Sequence, residues 1–195
     1  KGFDGERGKM TQVFYNRIRK MSPSFFVMEN VVGLVMRKGT KRILDMLLLN
    51  HICEDYYIDR ITLNALDFGV PQYRKRVFIV GMRKELFPKI YYKEPNIDSI
   101  SSMDFPWPRP KYVNADVSFP WPVKIPYGTT PEKPKEIPIE LCVESCLINA
   151  TNMPNGQEFL ELKKNVESRK SIYEGDTKRR SFKRLHRYKY SPTTC

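Results

Sequence analysis

The sequence predicts an α/β layer followed by a smaller irregular or β lobe. Three observations predict this. Leu63–Gly81, LNALDFGVPQYRKRVFIVG, holds a strand end, a turn at Gly69 and Pro71, a charged loop and an apolar run rich in β-branched residues. Before it, helical and strand patterns alternate, as they do in an α/β layer with a partly parallel sheet. After it, proline density rises: Phe105–Pro138 holds nine of the fifteen prolines. Such density forbids long helices and central strands.

The elements follow in chain order. Lys1–Lys9, KGFDGERGK, reads as a loop. Met10, Phe14, Ile18 and Met21, with Val13 beside them, recur at helical spacing and predict one apolar face. Ser22-Pro23 ends that helix. Phe25–Met28 is a short apolar run and predicts a strand buried on both faces. Arg37–Glu54 predicts a second helix with Ile43, Leu44, Leu47, Leu48 and Ile52 inward. Tyr56–Ala65 alternates as a strand, and Val77–Val80 reads as a buried one.

The loop between these strands carries Gln72, Arg74 and Arg76. Strand alternation places the two arginines on one face, where planar, permanently charged guanidiniums form an anion or base-edge clamp. The plainer reading is a pair of solvated charges guarding a strand end. Glu29 falls at the carboxyl end of its strand, where ligands of α/β sheets sit. A capping or salt-bridging carboxylate is the plainer reading there.

The second half is harder to parse. FPWP occurs at Phe105–Pro108 and again at Phe119–Pro122. A polyproline spacer or ligand is one reading. The interleaved Trp107, Tyr112, Phe119, Trp121 and Tyr127 favour a packed lobe, because disordered linkers are poor in aromatics. Ile139–Ile148 predicts a short ordered element, and the chain turns polar from Asn152. Arg169–Lys189 carries nine Lys and Arg against Glu174 and Asp176, interleaved with Tyr173, Phe182 and Tyr188, and Tyr190 follows. A solvated surface and a phosphate-tracking surface both fit this stretch.

A net charge of +12 favours a polyanionic partner. No apolar run reaches the roughly 18 residues of a spanning helix, and no signal-peptide pattern opens the chain. Cys53, Cys142, Cys146 and Cys195 have no Cys or His partners at zinc spacing, so no metal is expected. Unpaired thiols suit a reducing, cytoplasmic setting. Both ends of the sequence read as cuts through a longer protein.

Ser24–Gly33, SFFVMENVVG, contains Glu29-Asn30-Val31, and the central stretch contains Gly69-Val70-Pro71-Gln72-Tyr73-Arg74-Lys75-Arg76. Together they resemble two signature motifs of the cytosine-C5 DNA methyltransferase family, in the family's order and near its separation. The resemblance covers Lys1–Met82 well and Arg179–Cys195 weakly. It implies part of a Rossmann-like S-adenosylmethionine-dependent sheet over residues 1–88. A target recognition domain and the start of a return segment would then occupy residues 89–195. It also implies transfer of a methyl group to C5 of a flipped cytosine in double-stranded DNA, as in bacterial restriction–modification.

By that resemblance, Glu29 contacts cytosine N3, Arg76 lies against O2, and Arg74 shapes the nucleophile loop. The Glu29 role requires a closed, poorly hydrated pocket. Asn30, Val31 and Gln72 stand with the DNA-binding positions. Arg7 matches a phosphate contact, Met10 an apolar neighbour of the cofactor, and Thr193 a threonine near the flipped nucleotide's phosphate.

The sequence departs from the family in lacking a Pro-Cys-Gln nucleophile motif, a Gly-rich cofactor motif and the final cofactor-pocket motif. The S-adenosylmethionine pocket is therefore expected to be incomplete, and these residues alone are expected to be inactive. A chain carrying the missing motifs is an implied partner. A non-catalytic DNA-binding subunit or relic is the alternative. An RNA methyltransferase of the same fold fits less well, and a Pro-rich adaptor explains only Phe105–Pro138.

Overall fold

The first helix begins inside the segment expected to be a loop. In the computed structural model, which describes residues 6–87, 95, 100–147, 171–178 and 184–193, α1 spans Glu6–Met21. Its buried face is Thr11, Tyr15 and Ile18, with Phe14 half-buried; Met10 and Met21 are exposed. The face is thus rotated from the predicted one. Positions 11, 15 and 18 satisfy helical spacing as well as 10, 14, 18 and 21 do. The Tyr15 hydroxyl finds a buried partner, donating to Met28 Sδ at 3.3 Å. Ser22 ends the helix with a left-handed φ of 43°, and its N–H bonds to the Ile18 carbonyl at 2.8 Å.

Strand β1 (Phe25–Val31) follows, then a one-turn helix α2 (Gly33–Met36) and α3 (Lys38–His51). Leu44, Leu48 and Ile52 are buried as expected, Leu47 is half-buried, and Ile43 is exposed. The surprise on α3 is Asp45, which is buried and paired with Lys41 and Arg60, each at 2.8 Å.

Strand β2 (Tyr56–Asn64) runs into a 3-10 turn at Ala65–Phe68, closed by Gly69 at φ 90°. Two further strands come next, β3 (Gln72–Tyr73) and β4 (Lys75–Arg83). The three-stranded sheet has the order β1-β4-β2. The β1–β4 pair is antiparallel, with Phe26 opposite Gly81 and Val31 opposite Arg76. The expected parallel character is therefore absent from this pair. A short parallel pairing joins β3 to β5 (Ser191–Pro192).

β4 is the central strand, with Val77, Ile79 and Val80 buried. β1 was expected to be buried on both faces, but it alternates: Phe26 and Met28 are buried, while Phe25, Val27 and Val31 are exposed. It is the terminal strand of this sheet, and α1 and α3 cover one face of it. Tyr15, Ile18, Phe26, Met28, Leu44, Leu48, Ile58, Val77 and Ile79 share one core there. Each fully buried aliphatic side chain contributes about 1.5–3 kcal/mol.

The described residues divide into two compact units. One is Lys1–Leu63 with Lys75–Pro108, and the other is Asn64–Arg74 with Arg109–Cys195. The division does not follow chain order, because the turn and β3 belong with the later residues. The FPWP echo splits along the same line. Trp107 and Phe105 pack with Tyr57, Val80 and Met103 in the first unit, and Trp107 Nε1 donates to Asp59 Oδ2 at 2.7 Å. Trp121 and Phe119 pack with Leu66, Ala115, Leu141 and Tyr190 in the second, and Trp121 Nε1 donates to the Ala115 carbonyl at 2.9 Å. The packed-lobe reading therefore holds for the described part of Phe105–Pro138. This stretch holds a one-turn helix, α4 (Ala115–Ser118), and two 3-10 turns follow it at Ile139–Leu141 and Val143–Cys146.

Candidate active site

In the first unit, β1 and β4 bring Glu29 and Arg76 together. Val31 is opposite Arg76, so Glu29 is its diagonal neighbour on the same face, within reach of a long side chain. Arg76 Nε meets Glu29 Oε1 at 3.0 Å, and Arg76 Nη1 donates to the Lys75 carbonyl at 2.8 Å. The two side chains are 16% and 43% exposed respectively. The closed pocket expected around Glu29 is not formed by the described residues, because β1 is an outer strand with this face uncovered. Asn30 Oδ1 accepts the Val31 N–H at 2.8 Å, and Val31 itself is exposed. Arg7 lies in the first turn of α1, inside the helix rather than in a loop.

Arg74 does not share β4 with Arg76. It is the single residue between β3 and β4, which belong to different sheets. Strand alternation therefore does not relate the two arginines.

In the second unit the Gly-Val-Pro-Gln loop is held from three sides. The Arg74 N–H donates to Asn64 Oδ1 at 3.0 Å, and the Arg74 carbonyl accepts the Ala65 N–H at 3.0 Å. Gln72 pairs with Ser191, and the Ser191 N–H donates to the Pro71 carbonyl at 2.9 Å. Thr193 Oγ1 donates to the Tyr73 carbonyl at 2.7 Å, so its one hydroxyl proton is used to fasten β5 to β3. Asn64 was missed by sequence reasoning. It is buried, and its Nδ2 has no hydrogen-bond partner among the described residues. Asp67 was missed as well: its Oδ1 accepts the Ala115 N–H and its carbonyl accepts the Tyr112 N–H, each at 2.9 Å. An Asn and an Asp flanking a turn are the signal that was available, since both types bond nearby backbone.

Part of the basic stretch is visible. Arg184 stacks over Tyr127 at 4.2 Å and Lys124 lies over Tyr173 at 5.8 Å, so aromatic rings do pack beneath cations here. Residues 169–170 and 179–183, including Phe182, lie outside the described residues, as do 148–170 and Cys195.

Cys53 and Cys142 do not have the environment of a nucleophile. Burial pushes the Cys53 and Cys142 thiols up to about 11, and Cys146 is exposed on a 3-10 turn. Among the described residues, no group of three His, Cys, Asp or Glu side chains is placed to hold a metal. Nor is any helix long and apolar enough to cross a membrane.

A family model of C-5 cytosine-specific DNA methylases matches residues 1–190. The chain belongs to this family. The chain is 31% identical to the type II methyltransferase M.NmeDI of Neisseria meningitidis serogroup C, over all of its length and 44% of that protein. It is 39% identical over 56% of its length to M.MthTI of Methanothermobacter thermautotrophicus, covering 34% of that protein. M.FnuDI of Fusobacterium nucleatum is 33% identical over 55% of the chain and 28% of its own length. The chain thus spans less than half the length of these curated relatives.

Proposed function

We propose that this chain carries the base-handling and DNA-contacting part of a DNA cytosine-C5 methyltransferase of the restriction–modification kind. The observation that supports it most is the Glu29–Arg76 pair, held at 3.0 Å on the uncovered face of β1. A cytosine turned out of the duplex would place its N3, an acceptor, against the Glu29 carboxyl group, whose acid form donates to it, and its O2 against the Arg76 guanidinium. Arg76 fixes the direction of the Glu29 carboxylate before the base arrives, which limits the reorganisation needed as charge builds on the ring. Arg74, with both backbone groups tied to Asn64 and Ala65, would shape the loop that holds the nucleophile. Asn30 and Val31 would contact the DNA beside Glu29 in the first unit, Gln72 would contact it from the second, and Arg7 would offer a phosphate contact.

S-adenosylmethionine supplies the methyl group in this chemistry. The described residues do not by themselves fit it, since Met10 is 63% exposed. The nucleophilic thiolate is likewise assigned to a segment outside these residues: the buried thiols of Cys53 and Cys142 resist ionisation, and none of the four cysteines stands in a Pro-Cys-Gln motif. The 195-residue chain alone is therefore inactive. We assign recognition of double-stranded DNA to residues 89–195, together with the turn that packs with them. The setting is the cytoplasm.

The experiment uses the purified chain. It should bind duplex DNA with strong salt dependence and transfer no methyl group. Detectable methyl transfer would overturn the assignment of the nucleophile to another segment. Failure to bind DNA would overturn the reading as a whole. A non-catalytic DNA-binding subunit is the second reading, favoured by the 43% exposure of Glu29.

A further inference from the structure

The second unit contains a cavity of about 310 Å³ that the reading above does not use. Tyr73, Asp116, Thr177, His186, Lys189 and Tyr190 line it. Its aromatic side is fixed in place. Tyr190 lies on Tyr73 with ring centres 5.9 Å apart and meets Trp121 edge-on at 4.8 Å. Burial, then the Asp116 charge, then Tyr73 raise the Tyr190 hydroxyl above its ordinary range, so the carboxylate and the two phenols are close neighbours. His186 is 3% exposed, and its Nδ1 accepts the Tyr188 N–H at 3.1 Å. In the neutral ring the proton then sits on Nε2, leaving a donor. Burial, with help from Lys189 and against Glu174, lowers its pKa and keeps the ring neutral.

The cavity therefore offers the ring of Tyr190, tilted 33° from that of Tyr73, with the donor-bearing Lys189, His186 and Thr177 and the carboxylate-bearing Asp116 in its lining. A phosphate does not suit it, because the Asp116 carboxylate faces the same space and Lys189 Nζ already reaches the Pro122 carbonyl at 3.5 Å. A nucleobase does suit it. A base is planar, stacks on tyrosine, and presents donors and acceptors side by side on one edge. We propose that this cavity takes an unpaired DNA base bearing an exocyclic amino group, cytosine or adenine, as a site separate from Glu29 and Arg76. Asp116 accepts from the amino group, as a carboxylate does from cytosine N4 in direct readout. The proposal rests on the DNA-binding reading.

The test measures fluorescence anisotropy of the 195-residue chain with three labelled duplexes: fully paired, with one unpaired dC, and with one unpaired dT. The unpaired dC duplex should bind at least about fivefold tighter than the paired one, the low end of what stacking one base supplies, and tighter than the dT duplex. Asp116→Ala should bring the dC-to-dT ratio to one, and Tyr190→Leu should bring the unpaired-to-paired ratio to one. If circular dichroism shows that Tyr190→Leu does not fold, the half-exposed Asp116→Ala, which removes the acceptor, carries the test alone. Equal wild-type affinity for all three duplexes overturns the cavity site while leaving DNA binding in place. Retention of the dC preference by Asp116→Ala also overturns it. No binding to any duplex removes the DNA-binding reading and this site with it.

Discussion

Glu29 and Arg76 are diagonal neighbours across the antiparallel β1–β4 pair, joined Oε1 to Nε at 3.0 Å on the face opposite the core. The relationship follows from register. Val77 is buried on the core side, so Arg76 faces away from it, and Phe26 and Met28 likewise turn Glu29 outward. The pair is half-open to solvent and is worth at most about 1 kcal/mol to stability. On the proposed function its value lies in orienting the carboxylate.

Asn64 holds the loop that ends at Arg74. Asn64→Ala should remove the Oδ1 bond to the Arg74 N–H and lower stability by roughly 1 kcal/mol, the net value of one such bond. Faster amide exchange at Arg74 in the variant would show the clamp directly, and unchanged exchange would refute it.

Gly81 lies under the ring of Phe26, its partner across the sheet. A Cβ there would stand 2.1 Å from Phe26 Cε1. Gly81→Ala should destabilise the first unit by about 1–3 kcal/mol through overpacking. Chemical denaturation measures this, and the double variant Gly81→Ala, Phe26→Leu should recover part of the loss.

The described thiols should differ sharply in reactivity. In a Cys195→Ser background at pH 8, a thiol reagent should label Cys146 quickly. Cys53 and Cys142, buried and raised to about 11, should label only as fast as the protein opens. Rapid labelling of three thiols would contradict the burial.

His186 should make stability depend on acid. Its folded-state pKa is lowered by burial, so as pH falls through about 6.5 the unfolded state takes up a proton first. Stability should therefore be full above that range and decline below it. The decline should stop once pH passes the folded-state pKa, and His186→Gln should flatten the step. A step of the same size in the variant would assign it to another group.

Much of the fold was legible because local signals were strong. Ser22-Pro23 stops α1, Gly69 and Pro71 make the turn, and Val77–Val80 form a buried strand. Periodicity gives the spacing of a helix face but not which of two overlapping faces is used, so Tyr15 was overlooked in favour of Met10. An apolar run likewise does not reveal that its strand is terminal, which is why Phe25 and Val27 are exposed rather than buried. Glu29 and Arg76 were legible as wording. The break at Arg74 and the roles of Asn64, Asp67 and Asp45 were not, since each depends on a partner distant in sequence, such as Ala115 for Asp67 or Arg60 for Asp45.

The most direct measurement is single-turnover methyl transfer, alongside DNA affinity, in a full-length methyltransferase that contains these residues. Glu29→Gln keeps the side chain's shape and removes its charge. The account predicts a loss of roughly a hundredfold or more in methyl transfer, the scale of a positioned acid or base, with DNA affinity nearly unchanged. Equal loss of both, or full activity in the variant, would contradict the role given to Glu29.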